Sequence, residues 1–99
     1  YDKAIELDPN DAGAYHNRGD SYGNLGQYQR AVEDFDKAIE LDPNLAAAYY
    51  NRGNSYSDLG QYQRAIEDYD KAIQLDPNMA LAYNNQGMPT ATQDHDKAI

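Results

Sequence analysis

Apolar residues recur along this chain with a helical period, and the pattern is itself repeated. Ala31, Phe35, Ala38 and Ile39 fall at i, i+4, i+7 and i+8, and Ala65, Tyr69, Ala72 and Ile73 restate that stripe 34 residues later. Such spacing places apolar side chains on one face of an amphipathic helix. A helical run precedes each stripe, carrying Tyr15, Gly19 and Tyr22 in one copy and Tyr49, Gly53 and Tyr56 in the next. Gly26 and Gly60 separate the two runs, where a residue without Cβ can turn left-handed and close a helix. Asn10, Asn44 and Asn78 stand before the first helices and are the expected N-caps. Pro43 and Pro77 stop the second helices, because the residue before a proline is pushed out of the α region. Neither helix can bury its apolar face alone, so the pairs must stack.

The repeat is close to literal. Asp-Pro-Asn occurs at 8–10, 42–44 and 76–78, and aligning 12–45 with 46–79 leaves 25 of 34 positions identical. Residues 1–10 match 69–78 in nine of ten letters. The chain therefore reads as the second helix of an incomplete leading repeat (1–11), two full repeats (12–45 and 46–79) and a shortened or partial third (80–99). It opens at Tyr1 inside a repeat, as a piece of a longer array would. In the third copy the stretch from Gly87 to Ala91 is eight residues shorter than Gly53 to Ala65. Pro89 is incompatible with a long first helix there. A short helix ending near Met88 is expected, with Thr90 and Gln93 as a capping box for the next.

Counted from Ala12, Ala46 and Ala80, an aromatic residue holds the fourth place (Tyr15, Tyr49, Tyr83), and Gly19, Gly53 and Gly87 the eighth. Tyr22 and Tyr56 hold the eleventh, Ala31 and Ala65 the twentieth, and Phe35 and Tyr69 the twenty-fourth. Ala38 and Ala72 hold the twenty-seventh, Pro43 and Pro77 the thirty-second. In these residues the chain resembles the tetratricopeptide repeat family, whose unit is a 34-residue helix–turn–helix. The resemblance implies an all-α fold, a right-handed superhelical array of antiparallel helix–turn–helix repeats. One departure is the seventh place, usually leucine in the family and here Arg18, Arg52 and Gln86. The expectation is an arginine whose stem packs while its head reaches water.

Nine positions differ between the full repeats, and five of them lie on the first helix: Gly13/Ala47, His16/Tyr50, Asp20/Asn54, Gly23/Ser57 and Asn24/Asp58. Their offsets, 2, 5, 9, 12 and 13, share one helix face. A face on which substitution is permitted reads as solvent-facing, whereas the constant Tyr, Gly and Tyr form the adjoining packing face. In the family the first helices line the concave surface, so the resemblance implies a groove holding a peptide or protein segment. His16 and Tyr50 are the expected anchors. Asn17, Asn51 and Asn85 recur at offset 6, and an amide supplies two donors and an acceptor with which to grip an extended backbone. That row is similar to the asparagine ladder of O-linked N-acetylglucosamine transferases; an amide held for hydrogen bonding between repeats is the other reading. The expected peptide-binding set is Gly13, His16, Asn17, Asp20, Asn24, Ala47, Tyr50, Asn51, Asn54, Asp58, Leu81, Asn84 and Asn85. Co-chaperones of the family that clamp terminal carboxylates need Lys and Arg at offsets 2, 5 and 6 with Asn at 6 and 9. Of His16, Asp20, Asn51, Leu81 and Asn85, only Asn51 fits that scheme.

Charge narrows the partners. Lys and Arg total 8 against 17 Asp and Glu in 99 residues, a net charge of −9, so a phosphate backbone is repelled and nucleic acid is not expected. Glu33, Asp34, Asp36, Glu40, Glu67, Asp68 and Asp70 crowd the second helices and read as a solvated outer face. Glu33 with Lys37 and Glu67 with Lys71 have the spacing of exposed i, i+4 pairs. The field as a whole favours a peptide with some basic character. There is no cysteine, hence no thiolate nucleophile, zinc cluster or disulfide framework. Asp-x-Asp at 34/36, 68/70 and 94/96 lacks the glycine and distal glutamate of a calcium loop. No phosphate loop or Ser/His/Asp set is present, so neither an enzyme nor a cofactor is expected. No apolar run approaches the roughly 20 residues that span a bilayer, and nothing resembles a signal peptide. No membrane partner is expected, and the cytoplasm is the default compartment. Alternatives to the scaffold reading are head-to-tail self-assembly through uncapped repeat faces, or service as the binding arm of a larger enzyme.

Overall fold

The computed structural model describes residues 2–78. The third repeat, with Leu81, Asn84, Asn85 and the Thr90–Gln93 capping box, lies outside the described residues. Five helices follow one another: α1 (Asp2–Leu7), α2 (Ala12–Asn24), α3 (Tyr28–Leu41), α4 (Ala46–Asp58) and α5 (Tyr62–Leu75). α2 packs on α3 and α4 on α5, while α3 also packs on α4 and so joins one hairpin to the next. α1 packs on α2, in the place α3 takes against α4. The result is an all-helical array of helix–turn–helix repeats.

The turns follow from local chemistry. Gly26 and Gly60 adopt φ of +81° and +80°. The Gln27 N–H donates to the Tyr22 carbonyl at 2.8 Å and the Gly26 N–H to that of Gly23 at 3.1 Å. These are the two bonds of a Schellman closure, repeated at Gln61 and Gly60. Asp42 and Asp76, before the prolines, are extended as expected. The N-caps differ from expectation. Asp11 caps α2, its Oδ1 accepting from the Ala14 N–H at 3.3 Å, and Leu45 precedes α4 with no side-chain cap bond. Asn10 and Asn44 stand one residue too early to reach the first turn. Their N–H groups donate instead to Asp8 and Asp42 at 3.1 Å, as Asn78 does to Asp76, making Asp-Pro-Asn an Asx turn.

Small residues let the helices of a pair meet. Phe35 and Tyr69 are the largest fully buried side chains, and each lies against a glycine of the first helix. A Cβ on Gly19 would come within 2.8 Å of the Phe35 ring, and one on Gly53 within 2.8 Å of the Tyr69 ring and 3.2 Å of the Ala65 carbonyl. Ala14, Ala31, Ala38, Ala48, Ala65 and Ala72 complete the seam.

The seventh-place arginines are not solvated heads. Arg52 Nε and Nη2 donate to Asp68 Oδ2 and Oδ1 at 2.8 and 2.7 Å, a bidentate pair within the hairpin. Its Nη1 donates to Asp36 of the preceding repeat at 2.8 Å. Arg18 does the same with Asp34 at 2.7 Å twice and with Asp2 at 3.0 Å. Each arginine thus holds one aspartate 16 residues ahead and one 16 residues behind, joining its own second helix to the previous one. The tyrosines at the fourth and eleventh places form walls beside it: Arg52 lies 5.5 Å from the Tyr49 ring centre and 5.8 Å from that of Tyr56. Asp34 and Asp68 are buried, which overturns their assignment to a solvated face. Burial pushes the Asp68 carboxyl above its ordinary range, with the hydrogen bonds and charge of Arg52 drawing it back. The hydrogen bond to Asp68 in turn holds the Arg52 guanidinium above its own. On the outside, Lys37 pairs with Glu40 at 3.5 Å and not with Glu33.

Two stability outcomes follow. Gly53→Ala should lower stability by about 1–3 kcal/mol despite its better helix propensity, because both neighbours of the new methyl are packed. Gly23→Ala, whose Cβ would meet nothing nearer than Ser55 Oγ at 3.8 Å, should be neutral or stabilising in the same urea titration. Arg52→Ala strands the buried Asp68 carboxylate. Its loss should be about 2–3 kcal/mol, below that of a fully dry pair because the Arg52 side chain is 19% exposed. Arg52→Leu with Asp68→Leu should restore most of this, since the charge left behind is gone. A single-variant loss under about 0.5 kcal/mol, the scale of exposed pairs, would show the pair to be ornamental.

Candidate functional site

Beyond the seam, α2 and α4 face one another across a cavity of about 360 Å³. Its walls carry Asp20, Gly23 and Asn24 from α2 and Asn51, Asn54, Ser55, Ser57 and Asp58 from α4, with Phe35 of α3 also lining it. Asp20 and Asn24 are one turn apart on α2, as Asn54 and Asp58 are on α4, so each helix presents one carboxylate and one amide along the same face. Five of the expected contact residues, Asp20, Asn24, Asn51, Asn54 and Asp58, are brought together here. Gly13, Asn17 and Ala47 lie on the same helices outside the cavity, Gly13 and Asn17 exposed and Ala47 half-buried.

The expected aromatic anchors are placed otherwise. Tyr50 is 7% exposed and belongs to the hydrophobic cluster with Ala65, Tyr69 and Ala72. Its ring meets that of Tyr69 at 5.6 Å between centres. His16 is half-buried, 5.7 Å from the Phe35 ring centre. Offset 5 therefore points toward the second helix, and substitution there reflects a tolerant aromatic contact, not exposure. Tyr50 as a solvent-facing anchor is corrected accordingly.

The amides have partners of their own. Asn51 Nδ2 donates to His16 Nε2 at 2.9 Å, a bond across the repeat boundary that leaves Asn51 Oδ1 to accept elsewhere. The Tyr69 hydroxyl donates to Asn54 Oδ1 at 2.6 Å. In the first repeat the matching residues are Phe35 and Asp20, and without a hydroxyl on the ring the carboxylate is not engaged from below. Two of the nine sequence differences are thus one coupled change. Ser55 and Ser57 were not expected in the site. Ser55 is identical in both repeats as Ser21, so a search for differences passes over it.

Comparison with known proteins agrees with this geometry. Three family models match: a tetratricopeptide repeat model over 1–33, a TPR repeat model over 19–60 and a second tetratricopeptide repeat model over 46–79. No curated protein matches significantly. Among solved structures the chain is similar to YrrB, described as a TPR protein with an unusual peptide-binding site. Identity is 33% and the TM-score 0.79, over 88% of this chain and 45% of that one. It is similar also to the first TPR of Spaghetti (RPAP3) bound to the HSP90 peptide SRMEEVD, at 29% identity and TM-score 0.81 over 86% and 68%. The TPR domain of OM64 from Arabidopsis matches at 33% and 0.78 over 79% and 64%. The chain spans less than half the length of the YrrB structure. With 34-residue hairpins, glycine-on-ring seams and three concordant family models over 1–79, the chain belongs to the tetratricopeptide repeat family.

Proposed function

We propose that this chain is a protein-interaction module, without catalysis of its own, that holds a peptide or protein segment along the concave face formed by α2 and α4. The polar cavity between those helices carries the reading. It sits beside the packing seam, and it offers unlike hydrogen-bonding groups at positions where the two repeats differ. Asn17 and Asn51 lie 34 residues apart on the same stripe, and two rungs of amide suit an extended backbone. Two neighbours in fold are described as peptide-binding or peptide-bound, which supports the general role. The acidic peptide of the second is a poor guide to the ligand, because the cavity lining here contains two aspartates and no Lys or Arg. Among the described residues no helix is long and apolar enough to cross a membrane.

The test is a peptide-array screen followed by fluorescence anisotropy of the strongest ligands. Asn17→Ala with Asn51→Ala should weaken binding about five- to thirtyfold, as expected for one or two lost hydrogen bonds of about 1 kcal/mol each. Glu67→Gln on α5 should leave it unchanged. Affinity untouched by the double variant, or lost with Glu67→Gln, would move the site off the first helices.

A further inference from the structure

We infer that the cavity between α2 and α4 is a specificity pocket for an arginine side chain of the bound segment; the inference rests on the groove reading above. Three observations converge. First, Asp20 and Asp58 stand on opposite walls and neither makes an ion pair with a described residue, whereas Asp2, Asp34, Asp36 and Asp68 are all held by arginine. Second, Ser55 is 4% exposed, and its Oγ hydrogen-bonds to no described residue. A Cβ built on Gly23 would lie 3.8 Å from that oxygen, so the hydroxyl faces across the gap toward α2, into the cavity. A hydroxyl that bonds to no protein group and borders the cavity is open to a donor from a ligand or from water. Third, two of the three amides on the wall have committed one end each. Asn54 Oδ1 is taken by Tyr69, and Asn51, whose nitrogen is taken by His16, keeps its Oδ1 as an acceptor.

The acceptors left open are two carboxylates, the Ser55 and Ser57 hydroxyls and the Asn51 amide oxygen, beside the amide donor of Asn54 and the whole amide of Asn24; the carboxylates supply all of the lining's charge. A guanidinium offers five donors in one rigid plane and stays charged at every working pH, which suits acceptors arriving from two walls. A lysine ammonium carries the same charge with three donors at a single point. The lining has no Lys or Arg to compete, and the net charge of −9 draws a cation in from a distance. Gly23 keeps the α2 wall low beside Ser55, so the entry is not blocked by a side chain there.

The experiment uses the chain with ¹⁵N labelling and a probe of known identity, N-acetyl-arginine methylamide, with the citrulline analogue as neutral isostere and N-acetyl-lysine methylamide as the other cation. The arginine amide should shift the amide resonances of Gly23, Asn54 and Ser55 in a saturable way. The effect should weaken at least tenfold for citrulline, weaken with added salt, and disappear in Asp20→Asn with Asp58→Asn. That variant should keep its spectrum elsewhere, since neither carboxylate packs. Equal response to arginine and citrulline, or an unchanged response in the double variant, overturns the proposal, and a stronger response to lysine overturns the choice of arginine. The same variant is then tested on array ligands. Peptides that bind the groove regardless of basic residues would sink the pocket and leave the groove standing, whereas no peptide binding beside a specific arginine response would do the reverse.

Discussion

One guanidinium in each of the two full repeats determines how their helices hold together. Arg52 ties α4 to α5 through Asp68 and to α3 through Asp36, with Tyr49 and Tyr56 beside it. Where the family usually places leucine, this chain places a charge, and the surroundings are rebuilt to suit: two aspartates, one of them buried, and two aromatic rings. An apolar residue at that position would have given contact without direction. The arginine gives direction, because its planar fork accepts a carboxylate only in one orientation. Burial of the charge is tolerated because the partner sits within hydrogen-bonding reach on both nitrogens.

The rest of the interior then needs little variety. Glycine meets a ring, buried alanines fill the seam, and the same arrangement appears twice at a spacing of 34 residues. Against so constant a frame the differences carry weight. The hydroxyl gained at Tyr69 engages Asn54, while its absence at Phe35 leaves Asp20 uncommitted. A change buried between the helices of a hairpin thus determines which polar group remains available on the surface between hairpins.

Much of this was legible in the sequence. The 34-residue period, the second-helix stripes, the glycine turns and the proline stops all emerge in the structure, because each depends on neighbours close along the chain. The arginine hub was not legible. Residues 16 apart on different helices share no period with either helix, so Asp34 and Asp68 read as members of an acidic outer face and Arg18 and Arg52 as solvated heads. Only the antiparallel fold brings them together. Nor does the site follow the stripe of differences as a whole. Substitution marked Asp20, Asn24, Asn54 and Asp58 correctly as neighbours, but it marked Tyr50 too, where one ring replaces another inside the core, and it was silent on Ser55.

The Asp-x-Asp pair on α3 has two addresses, Asp34 serving its own hairpin through Arg18 and Asp36 the hairpin that follows through Arg52. Each full 34-residue repeat is therefore a cassette that carries both halves of the joint seen between Asp36 and Arg52, an arginine at its seventh place and an aspartate at its twenty-fifth. Copying one cassette in tandem brings along the plug and the socket together, so an array of this kind can grow by gene duplication without any compensating substitution at the new junction.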